Sequence, residues 1–194
     1  SKDKLIPIKE SILTVGSYDG IHLGHRELLS VLVQKSQNSG MPSVLVTFNP
    51  HPREILNKKL NDFSLIMNLE QKLEIIESYG VDMVYVINFT KEYSQITAKE
   101  FMNQTIVPFF NPKKIIIGFS HYFGKGREGN PLFLKDFGEK NDIEIIIIQP
   151  VLSKSVAISS TRIREFISSG FIKKANYELG TKYSIKGIVV HGSG

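Results

Sequence analysis

The sequence predicts an α/β protein built on a doubly wound parallel sheet. Strand-like apolar runs alternate with helix-like stretches, the runs are continuously apolar, and the most unusual loops follow strands. Continuous apolar runs are typical of parallel strands that are covered by helices on both faces. In such a sheet the ligand lies beyond the carboxyl ends of the strands, near the point where strand order reverses.

Five short apolar runs bounded by turn residues predict the strands. We place them at residues 12–15, 44–48, 83–87, 115–117 and 143–149. Gly16 and Gly118 end the first and fourth strands, and Pro50 and Pro52 close the second. The loops at 16–25, 48–53 and 118–130 therefore start where a ligand site is expected.

Helical spacing of apolar residues predicts the helices between and after the strands. They span residues 24–38, 69–80, 98–107, 132–140, 159–169 and 172–179. Leu28, Leu29 and Leu32 define the first of them, with Gly40 as its stop. Pro108 is expected to end the third, because proline cannot donate to a helical hydrogen bond.

Composition limits the classes of protein that this chain can represent. At 194 residues, 41% of them apolar and 22% charged, it suits one globular core. No apolar run approaches the roughly 20 residues that span a bilayer, so no membrane partner is expected. There is no cysteine and no signal-peptide core, which together favour a cytoplasmic protein.

The net charge of +5 suits either a nucleic acid or a polyphosphate substrate. The basic residues are scattered and form no stripe interleaved with aromatic residues, so we do not expect nucleic-acid binding. The sequence is silent on oligomeric state.

The loop after the first strand carries the residues with the clearest chemical meaning. It reads Gly16-Ser17-Tyr18-Asp19-Gly20-Ile21-His22-Leu23-Gly24-His25. Its glycines allow tight turns and close approach of an anion, and the following helix points unpaired N–H groups at the loop. The two histidines could both face one phosphate and donate hydrogen bonds as charge builds on its oxygens.

Other interpretations of this loop remain open at this point. His22 and His25 could be ordinary turn and helix-start residues. The loop is neither a Walker A sequence nor G-x-G-x-x-G. Two histidines could bind zinc, but no third ligand is evident nearby.

Four segments together resemble one family. They are the H-x-G-H loop, Thr47-Phe48-Asn49-Pro50-His51-Pro52-Arg53, Phe123-Gly124-Lys125-Gly126-Arg127-Glu128-Gly129-Asn130 and Ile158-Ser159-Ser160-Thr161-Arg162-Ile163-Arg164. The first and last are similar to the two signatures of the nucleotidylyltransferase superfamily. The middle two resemble bacterial FAD synthetases, bifunctional proteins in which an FMN adenylyltransferase half precedes a riboflavin kinase half. The match runs in order from about residue 11 to 192 and implies a Rossmann-like sheet of the nucleotidylyltransferase type.

The resemblance implies direct transfer of AMP from Mg²⁺-bound ATP to FMN, giving FAD and pyrophosphate. The implied catalytic residues are His22, His25, Ser160, Thr161 and Arg164. The implied ATP-binding residues are Gly16, Ser17, Tyr18, Asp19, Gly24, His25, Ser159 and Arg162. The implied flavin-binding residues are Phe48, Asn49, Pro50, His51, Gly118, Ser120, Phe123 and Gly124. No resident metal site is expected. Taken alone, Ser159-Ser160-Thr161 would also suit a plain helix cap.

The sequence departs from the family pattern at two places. Ser120 stands where an Asp or Asn is usual, and His121 where an aromatic residue is usual. These changes put the identity of the molecule that accepts AMP in question more than the phosphate chemistry. Residues 183–192 resemble the opening strand of the kinase half. We therefore expect an adenylyltransferase domain at 1–182 and a stub at 183–194, without a complete kinase domain.

Two alternatives to an FMN adenylyltransferase follow. A related adenylyltransferase could act on another phosphate ester, given Ser120 and His121. A flavin- or nucleotide-binding regulator without turnover is the other, although both phosphate motifs are intact.

Overall fold

A five-stranded parallel sheet organises the chain. The computed structural model describes residues 7–56, 63–189 and 191. The strands are β1 Ser11–Val15, β2 Ser43–Asn49, β3 Met83–Asn88, β4 Pro112–Gly118 and β5 Glu144–Ile148. They lie in the order β3-β2-β1-β4-β5, all parallel, which confirms the predicted doubly wound α/β fold. Strand order reverses between β1 and β4, so the loops after these strands meet at the expected ligand edge.

Helices cover both faces of the sheet. They are α1 Leu23–Ser39, α2 Pro52–Leu56, α3 Leu69–Ser78, α4 Ala98–Phe101, α5 Val107–Phe110, α6 Pro131–Asn141, α7 Ser160–Ser168 and α8 Ile172–Leu179. Helices α1 and α3 pack on the face that includes Leu45. Helices α4, α5 and α6 pack on the face that includes Val46. Ile163 and Leu179 join α7 and α8 in a third, smaller apolar cluster.

The expected end of a helix at Pro108 is wrong. A π turn at Met102–Ile106 links α4 to α5, and the helix continues through Pro108 to Phe110. In that turn the Val107 N–H reaches back to the Met102 carbonyl. This altered hydrogen-bond pattern directly precedes Pro108, which has no N–H to donate, so the helix accommodates the proline.

A short hairpin and a short helix were not predicted. Strands β6 Leu152–Ser153 and β7 Val156–Ala157 form an antiparallel hairpin before α7. Its turn residues, Lys154 and Ser155, both have positive φ but lack the Asn or Gly that usually marks such a turn. The other is α2, which begins at Pro52, where only a rigid turn was expected.

The C-terminal segment runs beside α3 without regular structure. Residues 182–189 form neither helix nor strand, although a strand was expected at 183–192. Lys186 Nζ lies 2.8 Å from Glu70 Oε1 and 3.0 Å from Glu74 Oε1, both on α3. Residues 190 and 192–194 of the predicted stub lie outside the described part of the chain, and the proposed domain division stays a prediction. Among the helices described, none combines the length and apolarity needed to cross a bilayer.

Candidate active site

The loop between β1 and α1 is a compact turn that packs on the buried side chain of Tyr18. Tyr18, Gly20 and Ile21 all have positive φ, which folds the chain back on itself. The Tyr18 ring is buried, and its hydroxyl lies 2.5 Å from Thr14 Oγ1. A Cβ on Gly16 would lie 3.0 Å from this ring. A ligand contact by Tyr18 would therefore run through its backbone.

His22 and His25 form a stacked pair at the start of α1. Their ring centroids are 3.8 Å apart with an interplanar angle of 14°. His22 caps the helix, and its Nδ1 accepts a hydrogen bond from the His25 N–H at 3.4 Å. Since Nδ1 is an acceptor, the proton of a neutral His22 sits on Nε2, which can donate to a ligand oxygen.

Both imidazoles are neutral at pH 7. Burial lowers the pKa of His22 to about 4. Burial, followed by repulsion from His22 when it is protonated and from Lys72, holds the pKa of His25 well below its usual value. His25 Nδ1 is buried and has no hydrogen-bond partner among residues 7–56, 63–189 and 191. Each neutral ring keeps one N–H group, so the pair can donate hydrogen bonds to an anion.

Asp19 is a buried anchor of the site. Its carboxylate accepts hydrogen bonds from the Ile66 N–H at 3.0 Å and from Arg164 Nη2 at 2.7 Å. Arg164 also donates from Nε to the Ser64 carbonyl at 3.0 Å. The Asp19 side chain thus fixes Arg164 beside the loop.

The start of α7 lies against the same loop. Ser159 caps the helix by accepting from the Arg162 N–H at 3.4 Å. Ser160 Oγ donates to the Asp19 carbonyl at 2.8 Å, which fixes the helix start beside β1. Arg162 turns away and pairs with the buried Glu178 of α8 at 2.8 Å. Of the two arginines in this motif, Arg164 is the one held at the loop.

The loop after β2 contributes another buried histidine, His51. His51 accepts at Nδ1 from the Arg53 N–H at 3.1 Å, and burial lowers its pKa to about 4. The His51 ring lies 5.1 Å from the Phe63 ring, and Arg164 Cζ lies 4.6 Å from that same ring. The charges of Asp19 and Arg164 also act on the pKa of His51. Phe48 is half-buried, Pro50 is half-buried, and Asn49 is exposed.

The loop after β4 has a fixed end and an open end. Phe123 packs on Phe101 with centroids 5.4 Å apart, and a Cβ on Gly124 would lie 2.6 Å from the Ala98 nitrogen. Ser120 is exposed, and space is open beside Gly118. The end at Phe123 and Gly124 packs into the core, so only the end around Gly118 and Ser120 has space for a ligand.

His121 is the least satisfied side chain of this loop. Its ring stacks on Phe123 at 5.5 Å, and its Nε2 is buried without a partner in the described segments. Burial lowers the pKa of His121 to about 4, so it is neutral at pH 7.

Three cations at the site were missing from the predicted set. They are Lys72, Arg53 and Arg127. Lys72 is buried and donates from Nζ to the Ser17 carbonyl at 2.8 Å. Arg53 Nη1 lies 3.4 Å from Thr161 Oγ1. Arg53 and Arg164 both lie over the Phe63 ring, with Cζ 6.0 and 4.6 Å from its centroid. Burial, then the charges of Arg164 and Arg127, lower the pKa of Arg53.

Sequence signals for these cations did exist. Lys72 falls on the apolar face of the predicted helix at 69–80, where a lysine is unusual. Arg53 and Arg127 lie within the two motif segments that resemble FAD synthetases. Their convergence could not be read from spacing, because it depends on how loops after different strands pack.

Among the described residues, no three His, Asp or Glu side chains come together as a metal site. The expectation that Mg²⁺ arrives bound to ATP stays a prediction.

The sheet order, the histidine-bearing loop after β1 and the helix start at α7 define an α/β protein with a Rossmann-like fold of the nucleotidyltransferase type. The family model described as FAD synthetase matches residues 7–162. The chain belongs to the FAD synthetase family.

Its relatives carry the names of bifunctional riboflavin kinase/FMN adenylyltransferases. The protein from Buchnera aphidicola subsp. Acyrthosiphon pisum is 37% identical over 183 residues, covering 94% of this chain and 58% of that protein. The protein from Escherichia coli K12 is 32% identical over 186 residues, covering 96% and 59%. The chain thus spans less than two thirds of the length of these relatives.

Solved structures share the fold. A macrolide-efflux protein from Streptococcus pneumoniae superposes with a TM-score of 0.87 at 33% identity, covering 99% of this chain and 62% of that one. A pantothenate synthetase from Thermus thermophilus has a TM-score of 0.54 at 14% identity, covering 90% and 67%. The second likeness concerns the fold alone.

Proposed function

We propose that this chain transfers AMP from MgATP to FMN, giving FAD and pyrophosphate. The observation that carries the proposal is the stacked, neutral His22–His25 pair at the start of α1, beside the start of α7. Membership of the FAD synthetase family supports FMN as the acceptor.

The chemistry is an in-line displacement at phosphorus. An oxygen of the FMN phosphate forms a bond to the α-phosphorus of ATP. The bond from that phosphorus to the bridging oxygen of pyrophosphate breaks, and the Mg²⁺ that arrives with ATP neutralises part of the leaving charge. No covalent enzyme intermediate is needed, so the protein contributes mainly positioning and electrostatic stabilisation.

The histidine pair acts on the transferring phosphate. His22 Nε2–H and the first-turn N–H groups of α1 donate to oxygens on which charge builds. Such donors count for most in a site that excludes water, and both rings are buried.

The β- and γ-phosphates face a second helix start. Ser160 and Thr161 place backbone N–H groups of α7 beside the loop, and Arg164 is held there by Asp19. Arg53 and Arg127 add positive charge from the loops after β2 and β4. Arginine side chains at this edge of the sheet suit a polyphosphate better than a neutral ligand.

The acceptor would lie along the loops after β2 and β4. Phe48, Asn49 and His51 line one side, and Gly118 and Ser120 the open end of the other. A cytoplasmic protein without nucleic-acid or membrane partners remains our expectation.

The test is incubation of the purified chain with ATP, Mg²⁺ and FMN, followed by chromatographic measurement of FAD and by pyrophosphate release. We expect both products in equal amounts, and no FAD when FMN is omitted. Absence of FAD, with folded protein, would reject the proposal. If FMN and ATP bind but neither product forms, a regulator without turnover is the better description.

A second candidate rests on Ser120 and His121, which replace the usual residues of the acceptor loop. The chain would then adenylylate another phosphate ester. This second candidate would be favoured over FMN adenylylation if pyrophosphate release depended on a different phosphate ester and FMN did not inhibit it.

A further inference from the structure

Lys72 is a buried cation with no carboxylate beside it. It lies on α3 with an exposed fraction of 5%. Its Nζ is 2.8 Å from the Ser17 carbonyl oxygen and 3.5 Å from Thr47 Oγ1. Within the described residues no Asp or Glu oxygen lies within 4.0 Å of this ammonium group.

Such a placement is costly for a folded domain. Burial lowers the pKa of Lys72 despite the attraction of the more distant Asp19 and Glu54. Asp19 is already bound to Arg164 and cannot serve as a full counter-charge. A buried charge without a partner is retained at functional sites more readily than in a plain core.

Lys72 also sets the direction of one peptide of the H-x-G-H loop. The Ser17–Tyr18 peptide is trans, and its carbonyl points at Lys72 Nζ. In a trans peptide the N–H of the next residue points the opposite way, so the Tyr18 N–H faces away from α3. In the described structure no backbone carbonyl binds the N–H groups of Tyr18 or Asp19. The loop therefore presents the Tyr18 N–H as a backbone donor on the side opposite Lys72.

We propose that Lys72 is a positioning residue for the phosphate-binding loop. It holds the Ser17 carbonyl inward, which turns the Tyr18 N–H toward the phosphate chain. It also supplies a buried positive charge whose counter-charge is a bound polyphosphate. The inference rests on the proposed function of this loop and assigns that role to a residue of a different helix.

The competing explanation is a plain structural link between the loop, β2 and α3. The two differ in what loss of the charge does to stability. Replacing Lys72 by an apolar side chain of similar length removes the cost of burying its charge and also loses its hydrogen bond to the Ser17 carbonyl. These two effects oppose each other, so we expect little net change in stability. Loss of a structural link would lower stability and would affect both substrates alike.

The experiment compares Lys72→Met, Lys72→Gln and Lys72→Arg with the exposed control Lys135→Met. Binding of a non-hydrolysable ATP analogue with Mg²⁺ is measured by calorimetry, FMN binding by flavin fluorescence, and unfolding by thermal denaturation. For Lys72→Met we expect nucleotide affinity to fall about 10- to 100-fold, with FMN affinity and the thermal midpoint preserved. Lys72→Arg keeps the positive charge and a donor, so its nucleotide affinity should lie closer to wild type than that of Lys72→Met.

Lys72→Gln keeps a donor for the Ser17 carbonyl but carries no charge. We expect a nucleotide affinity between those of wild type and Lys72→Met, because the Ser17 carbonyl keeps its orientation while the positive charge is lost. If Lys72→Met does not fold, Lys72→Gln carries the same test. Unchanged nucleotide affinity in both variants overturns the inference, as does a parallel loss of nucleotide binding, FMN binding and thermal stability.

Failure here is distinguishable from failure of the proposed function. Nucleotide affinity is measured without FMN and without turnover. A wild-type chain that binds the analogue through Lys72 but makes no FAD contradicts only the proposed reaction. A wild-type chain that makes FAD, with Lys72→Met binding the analogue normally, contradicts only the role of Lys72.

Discussion

Buried polar side chains with specific partners mark the site at the residue scale. Asp19 and Lys72 are almost fully buried, and each has its nearest polar partners on other segments of the chain. The H-x-G-H motif predicted where the histidines lie, and the structure adds that they stack and are neutral. Asp19 was predicted as an ATP ligand, whereas its carboxylate is occupied by Arg164 and the Ile66 N–H.

Removing the charge of Asp19 should destabilise the fold strongly. In Asp19→Asn, the partly buried Arg164 guanidinium loses its buried counter-charge, which is expected to cost about 2–4 kcal/mol. Urea denaturation measures the free energy of unfolding. Glu10→Gln is the matched control, because the Glu10–Lys113 pair is exposed and 3.8 Å apart. The control should change stability by less than about 1 kcal/mol. Equal effects of the two changes would contradict this role for Asp19.

His22 can be separated into its capping and its chemical roles. Asn is a good helix cap, so His22→Asn keeps an acceptor for the His25 N–H while removing the imidazole. We expect kcat/KM for pyrophosphate release to fall about 100-fold or more, with the thermal midpoint nearly unchanged. His191→Asn, at an exposed histidine, should retain activity. A large loss of stability in His22→Asn would instead indicate a structural histidine.

At the element scale, most strands and helices follow local patterns and one helix depends on close packing. The helices at 24–38 and 172–179 were predicted within a residue or two, because glycines in the left-handed conformation end both. Helix α6 contains Gly138, which no periodicity argument explains. A Cβ there would lie 2.4 Å from the Ile143 carbonyl oxygen at the start of β5.

Gly138→Ala should therefore reverse the usual helix preference. Alanine favours a helix interior over glycine by about 1 kcal/mol. The contact with a backbone oxygen cannot relax by a rotamer change, so we expect a net destabilisation of about 1–3 kcal/mol. Denaturant unfolding measures it, with the exposed Lys135→Ala on the same helix as the control. A more stable Gly138→Ala variant would show that α6 shifts freely on the sheet.

For the whole molecule, the neutral buried histidines link stability to pH. Burial lowers the pKa of His22, His51 and His121 to about 4, and lowers that of His25 as well. In the unfolded chain these groups titrate near a pKa of about 6.5. Between these values the unfolded state binds more protons than the native state, so stability falls as pH decreases.

We expect the thermal midpoint to drop between about pH 7 and pH 5.5. Each such histidine contributes about 1 kcal/mol over this interval, and together they should lower the midpoint by about 8–15 °C. Carboxylates titrate below this window, so histidines dominate it. Thermal denaturation in buffers of equal ionic strength measures the effect, and His121→Gln should reduce it. A midpoint that is constant across the window would contradict buried neutral histidines.

The sequence by itself determined the five-stranded parallel sheet, the positions of most elements and the H-x-G-H loop after the first strand. These features depend on local patterns of apolar residues, glycines and prolines, which act within one turn or strand. The tertiary structure decided the partners of the charged residues. Arg164 meets Asp19 across 145 positions of sequence, and Lys72 meets Ser17 across 55. Such contacts depend on how helices from distant segments pack on one sheet edge, and no local pattern records that packing.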